Sequence, residues 1–190
     1  MGTGGAKAQP TLGFLTVVED NQFGLCGGYL LLNLSGRPLE FHCTSPIKAN
    51  RAQQILYGPT LGPYLYGEQI GQSLVAKSSL DPLVIYTDTT AVMALRQFIA
   101  TPAALVLRDE EADQSQSLSQ SNPWRVDAPH VSKANSPFCI GRNRLIVAEA
   151  YPKDRAEIEA HLQSTPDLFD LAEPFGRIRE AIEEARGSGK

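Results

Sequence analysis

"TLGFLTVVEDNQFGLCGGYLLLNLSGRPLEFHC", residues 11 to 43, decides the fold. Residues 11–20 are apolar and β-branched and read as a strand. "NQFGLCGG" then turns the chain into "YLLLNL", a second strand with a continuous apolar run. Ser35-Gly36 is a turn signal, and "RPLEFHCTSPI" follows as a third strand. In it Leu39, Phe41 and Cys43 alternate with Glu40 and His42, which separates a buried face from a wetter one. Three strands on short links make an antiparallel meander.

Downstream, Asn50 is placed to cap a helix in which Ala52, Ile55 and Leu56 have helical spacing up to Gly58. Pro63 suits the first turn of a second helix, along which Tyr66, Ile70 and Leu74 recur every four residues. Gly67 and Gly71 share one face of that helix, so the face is expected to be buried in a close approach. "PLVIYTD" (82–88) reads as a buried strand, "TAVMALRQFIA" as a helix capped by Thr89 or Asp88, and "PAALVL" (102–107) as one more strand. "RLIVAEAY" (144–151) is a strand, "PKDRAEIEAHLQ" a helix, and "TPDLFDLAEPFGRIREAIEEARG" a final helical region. Thr165 and Pro166 would start that region, Gly187 would end it, and Pro174 and Gly176 would kink or split it.

The expected fold class is therefore α+β or α/β: a mixed sheet led by a three-strand antiparallel meander, with helices packed on it and a helical C-terminus. The expected organisation is a flexible lead (1–10), an α/β core (11–107), a disordered acidic and Ser/Gln-rich loop (108–123) and a strand-helix extension of the same domain (124–187).

Composition bounds the function. Of 190 residues 42% are hydrophobic and 20% charged, which suits a soluble globular protein. The net charge is −4, so a nucleic-acid partner is not expected from charge alone. Asp109, Glu110, Glu111 and Asp113 account for much of that acidity. No apolar signal core opens the sequence and no run reaches a membrane span of about 18 residues, so a cytoplasmic location without membrane contact is expected. Cys26, Cys43 and Cys139 form an odd set without CxxC spacing, as in a protein with reduced thiols.

Three short motifs fall in a telling order. "GGY" (27–29) opens the second strand, "ANRAQQ" (49–54) opens the first helix, and "VIYTDTTAV" (84–92) ends the fourth strand and opens the next helix. Over roughly residues 12 to 100 this resembles the ribonuclease H-like fold, in which a Gly-Gly-Tyr-type strand start, an Asn-Arg-x-Glu helix start and a Thr-Asp-Ser strand end recur. That resemblance implies clustered carboxylates holding two divalent metals. Asp88 matches the strand-end acid, but the helix-start Glu is Gln53 here. The first-strand Asp has no clear match, because Glu19 and Asp20 lie close to the Gly-Gly-Tyr strand.

With no complete catalytic set, the first functional expectation is a non-catalytic binding or scaffold module, a degenerate ribonuclease H-like domain that needs no cofactor. One alternative is a divergent metal-dependent nuclease using Asp88 with Asp20 or Glu19 and Mg²⁺ or Mn²⁺. Another is an interaction module with structural zinc, for which Cys26, Cys43, Cys139 and His130 are the candidate ligands. His42 beside Glu40 could serve as a general base, but no GxSxG nucleophile accompanies it. The arginines of "SPFCIGRNRL" (136–145) could bind an anion or sit in a solvated turn between strands. The stripe Leu168, Leu171, Phe175, Ile178 and Ile182 could dock a protein partner or second copy, or pack on the chain's own sheet.

Overall fold

A computed structural model describes residues 10–20, 22–108, 136–162 and 169–187. The expected loop at 108–123 falls almost wholly outside these residues, as do His130, Thr165, Pro166 and Leu168.

Seven strands form one mixed sheet in the order β3-β2-β1-β4-β5-β7-β6. They are β1 (Thr11–Asp20), β2 (Gly24–Asn33), β3 (Pro38–Cys43), β4 (Val84–Thr87), β5 (Ala103–Leu107), β6 (Phe138–Ile140) and β7 (Asn143–Val147). The meander at residues 11–43 is present in full, with β2 antiparallel to both β1 and β3. β1, β4 and β5 run parallel, and β5–β7–β6 closes the far side antiparallel. "SPFCIGRNRL" is the β6–β7 hairpin, turned by Gly141 at φ 56°.

Alternation along each strand sends successive side chains to opposite faces, and helices cover both. Helix α1 (Arg51–Tyr57) starts in a capping box in which Asn50 accepts from the Gln53 backbone N–H and the Gln53 side chain accepts from that of Asn50. Helix α2 (Pro63–Gln72) is π-helical and continues through one α-helical turn, Ser73–Val75. Helix α3 (Thr90–Gln97) is a 3₁₀ helix, tighter than the α-helix expected there. Helices α4 (Lys153–Leu162) and α5 (Glu173–Gly187) complete the set.

Leu15, Tyr29, Leu31 and Ile85 meet Leu65, Ile70 and Leu74 of the α2 segment and Val92 and Leu95 of α3 on one face. Leu12, Phe14, Leu30, Leu32, Val84 and Tyr86 meet Ile158 and Leu162 of α4 and Phe175, Ile178 and Ile182 of α5 on the other.

The Gly-Gly of β2 explains how both layers come so close. A Cβ on Gly27 would lie 2.2 Å from Ile70 Cγ2, and one on Gly28 would lie 2.3 Å from Ile178 Cγ2. Each glycine thus admits a helix on its own face of the sheet. Gly67 and Gly71 are buried as expected, packed against Ala94 and Leu95 of α3. The C-terminal stripe does not form a docking face: Leu171, Phe175, Ile178 and Ile182 are no more than 1% exposed in the chain's own core. Pro174 does not kink α5 but occupies its first turn, where a missing N–H costs nothing. Among the described residues no helix is long and apolar enough to cross a membrane.

Candidate functional site

β1 and β4 lie side by side with Leu15 opposite Thr87, which brings Thr16 next to Asp88 just beyond the end of β4. Both point to the α5 face, in step with Leu12 and Phe14 on β1 and Val84 and Tyr86 on β4. The Thr16 hydroxyl donates to Asp88 Oδ1 at 2.6 Å, and the Thr89 hydroxyl reaches the same oxygen at 3.3 Å. Oδ2 pairs with the Arg179 guanidinium from α5 and with Arg108 Nη2 at 3.5 Å from the end of β5. Arg179 also donates weakly to the Thr16 hydroxyl at 3.4 Å.

The Asp88 side chain is 5% exposed, whereas Arg179 and Arg108 are 34% and 50% exposed. Asp88, Val106, Arg108 and Arg179 line a small cleft of about 90 Å³. Asp88 is not the helix cap that it could have been. Thr89 takes the N-cap position of α3 without a side-chain cap bond, and the carboxylate turns the other way.

The other expected acids do not join it. Glu19 lies on the opposite face of β1, where its charge helps burial raise the Tyr66 hydroxyl above its ordinary pKa. Asp20 shares the Asp88 face but stands four residues beyond Thr16, about 13 Å along the strand. There it accepts from the Phe23 and Gln22 N–H groups and from Arg186 at 2.9, 2.8 and 2.8 Å, and these bonds, the Phe23 N–H foremost, lower its pKa. Gln53 is consumed by the α1 capping box. The first-strand position beside Asp88 is Thr16, so the acid implied there by the resemblance is replaced by a hydroxyl.

The zinc set also fails to assemble. Cys26 is buried, its thiol donating to the Thr44 carbonyl at 3.1 Å, and burial raises its pKa. Cys43 pairs in register with Gly28, so the two thiols share a sheet face as expected, but Cys43 is exposed. Cys139 lies on β6, five strands from β2 and about 24 Å away at ordinary strand spacing. No group of three or more His, Cys, Asp or Glu side chains among the described residues could hold a metal ion.

His42 Nε2 lies 3.1 Å from Glu40 Oε2. Glu40 also accepts from the Ser78 and Ser79 hydroxyls and the Ser79 N–H, tying β3 to the loop before β4. The acid, rather than the imidazole, is central in this cluster. A larger recess of about 370 Å³ lies between α3 and the β5–β7 pair, walled by Met93, Leu105, Ile146 and Tyr151. The convergent charged groups belong to the smaller cleft.

Sequence reasoning found Asp88 and missed its partners. Thr16 was legible as a polar residue in phase with Leu12 and Phe14, on the face that must be buried. Arg179 directly follows Ile178 of the buried stripe, but nothing local distinguishes it from Arg177 and Arg186 of the same helix.

No protein-family model matches the chain, and no curated protein sequence does. Among solved structures it is similar to endonuclease V of Ciona intestinalis, a D234N variant in complex with a 23mer DNA containing an inosine. That match has 10% identity and TM-score 0.47 over 94% of this chain and 87% of that one. The catalytic domain of human endonuclease V matches with 12% identity and TM-score 0.46 over 95% and 85%. The Argonaute of Marinitoga piezophila, in complex with a guide RNA, matches over 53% of this chain and 16% of that one, with 11% identity and TM-score 0.29. These neighbours fit the ribonuclease H-like resemblance. Beside these endonuclease structures the expectation of a non-catalytic module is not favoured. The DNA and the guide RNA in these complexes are partners of those proteins.

Proposed function

We propose that the chain is a divergent nuclease that acts on a phosphodiester at the Asp88 cleft. One observation carries the reading: a buried carboxylate at the carboxyl edge of the parallel β1–β4 pair, flanked by two guanidinium groups that reach solvent. Ligand sites in open α/β sheets gather at that edge. Among the described residues, one carboxylate stands against two guanidinium groups in the cleft, a positive surplus in an acidic chain. Guanidinium groups match the geometry of phosphate oxygens.

The donor set does not fit the pair of metals implied by the resemblance, because Asp88 is the sole carboxylate among the described residues lining the cleft. Nor does it fit a single divalent cation, because both Asp88 oxygens are engaged, Oδ1 by Thr16 and Oδ2 by Arg179 and Arg108. Arg108 and Arg179 hold the non-bridging oxygens and stabilise the charge that grows on them in the transition state. Thr16 orients the Asp88 carboxylate.

The test is cleavage of single-stranded and duplex DNA, RNA and their hybrid by the purified chain, with and without Mg²⁺ or Mn²⁺. We expect cleavage that falls about 100-fold or more in Asp88→Asn, the scale of losing a central electrostatic group. Cleavage undiminished by that substitution, or no cleavage of any of these substrates, overturns the reading.

A further inference from the structure

We propose that β3 is a self-association edge: two copies of this chain pair their β3 strands antiparallel about a two-fold axis at Phe41, joining two sheets into one. This does not rest on the nuclease reading.

β3 ends the sheet, and β2 is its sole strand partner among the described residues. The Thr44 N–H donates to the Gly27 carbonyl, which sets the parity of the ladder. Glu40, His42 and Thr44 turn their backbone groups toward β2, so those of Phe41 and Cys43 face the open edge. Side chains alternate as well. Glu40 and His42 are half-buried beside the Ser78–Ser79 loop, whereas Leu39, Phe41 and Cys43 are exposed. Phe41 and Cys43 lie opposite Leu30 and Gly28, hence on the α5 face. α5 lies over β1 and β2 there and leaves Leu39 and Phe41 38% and 39% exposed. The strand thus offers an unpaired ladder and an uncovered apolar strip together.

The register identifies the occupant. Two identical strands that pair through these free groups must match odd positions with odd ones. Centred on Phe41, the pairing sets Phe41 on its own copy and Leu39 on Cys43. It also sets the Glu40 carboxylate opposite the His42 imidazole, an acceptor against a donor. Sliding by two residues sets Glu40 against Glu40 or His42 against His42, and the complement is lost. The strand is therefore complementary to itself, as a two-fold contact requires.

The helices leave room for it. The axis puts both α5 helices on one face, four strand spacings or about 19 Å apart, and a helix with its side chains is about 10–12 Å wide. Leu39 and Phe41 of both copies floor the trough between them. Pro38 lacks an N–H and the register shifts between Leu31 and Leu32, so the pairing runs over Leu39–Cys43. It consumes both β3 edges and closes at two copies. The opposite edge of the sheet, β6, is three residues long and offers no comparable ladder.

The experiment follows sedimentation equilibrium of the full chain from about 1 µM to about 1 mM, at about 0.15 M salt to screen its net negative charge. A strip this short falls below about 1,200 Å² of interface, the range of weak complexes, so we expect monomer at the dilute end and dimer at the concentrated end. Phe41→Lys sets like charges on the axis and should weaken the dimer at least tenfold while leaving the melting temperature in place, since Phe41 lies outside the core. The register is read with Leu39→Cys in a Cys139→Ser chain. Mild oxidation should join position 39 to Cys43 of the second copy, as mapped by mass spectrometry. Positions 39 and 43 of one strand stand about 13 Å apart, beyond the reach of about 7 Å that a disulfide allows, so the bond reports two copies. Hydrogen exchange separates the occupants: protection of the Phe41 and Cys43 amides should rise with concentration. Protection independent of concentration means that another segment of the same chain covers the edge, and overturns the proposal. A chain monomeric at about 1 mM, a dimer undiminished by Phe41→Lys, or oxidation that joins Cys43 to Cys43 overturns it as well.

Discussion

Two aspartates of this chain are buried against arginines, and they are built to different ends. Asp154, 1% exposed, takes Arg96 in a two-pronged pair: Nε to Oδ2 at 2.7 Å and Nη2 to Oδ1 at 3.0 Å. Oδ2 also accepts from the Ala103 N–H at 3.1 Å. Arg96 gives its remaining prong to the Ile99 carbonyl at 2.6 Å and lies 4.3 Å over the Tyr151 ring, and the bond to Asp154 raises its pKa. One charge meets one charge and all three guanidinium nitrogens are bonded, so the pair fastens α3, β5 and α4 together. The Asp88 side chain is less enclosed, 5% exposed against 2% for Asp154, and its two arginines outnumber it and reach solvent beside an open cleft. A balanced, enclosed pair reads as structure. An unbalanced set whose arginines reach solvent reads as a site.

Substituting the two acids breaks the comparison most directly. Asp154→Ala strands Arg96 in the interior and should cost about 3–5 kcal/mol of unfolding free energy. Asp88→Ala should cost about 1–2 kcal/mol, chiefly for the orphaned Thr16 hydroxyl, because both arginines can turn to water. Urea unfolding of the two variants measures the gap, and equal losses would show that Asp88 too is a structural lock.

The surplus charge can then be probed with inorganic phosphate in the absence of metal. At about ten times its Kd, phosphate should stabilise the chain by about 1.4 kcal/mol, read as a rise in melting temperature. The rise should vanish when Arg108 and Arg179 are both changed to Gln. Persistence of the full effect would move the anion site elsewhere.

Glu40 gives the smallest effect and sharpens the contrast from the exposed end. Hydrogen bonds from Ser79 first, then His42 and Ser78, hold its carboxyl at about 2, against an ordinary value of 4.5. A carboxyl with a depressed folded-state pKa contributes stability that is complete above its unfolded value and disappears as pH falls through the folded one. Stability should therefore decline between pH 4.5 and about 2, and Glu40→Gln should flatten that decline in acid-unfolding curves.

Local pattern made much of the fold legible. The apolar run of β2, the Asn50 cap and the four-residue spacing of Gly67 and Gly71 each act within a few residues, where backbone sterics and side-chain periodicity operate. The alternation in β3 misplaced its buried face: Leu39, Phe41 and Cys43 are exposed, while Glu40 and His42 are half-buried against the Ser78–Ser79 loop. The reading erred where distant neighbours decide. Asp88 was as good a cap for α3 as Thr89 until β1 set Thr16 beside it and α5 brought Arg179 over it, 72 and 91 residues away in sequence. The stripe from Leu171 to Ile182 was equally a docking face or a core face, and Gly28 settles the matter by letting Ile178 and Ile182 reach the sheet.

The sequence by itself determined the meander, the mixed sheet with its helices, and Asp88 as the acid to watch, because these follow from periodicity and from position at a strand end. Only the tertiary structure decided that Glu19, Asp20 and Gln53 stand apart from Asp88, and that two arginines and a threonine take their places. Charges act through space while the chain specifies them in order. The company of a buried carboxylate is therefore known only once sheet register and helix packing have brought distant residues to the same edge.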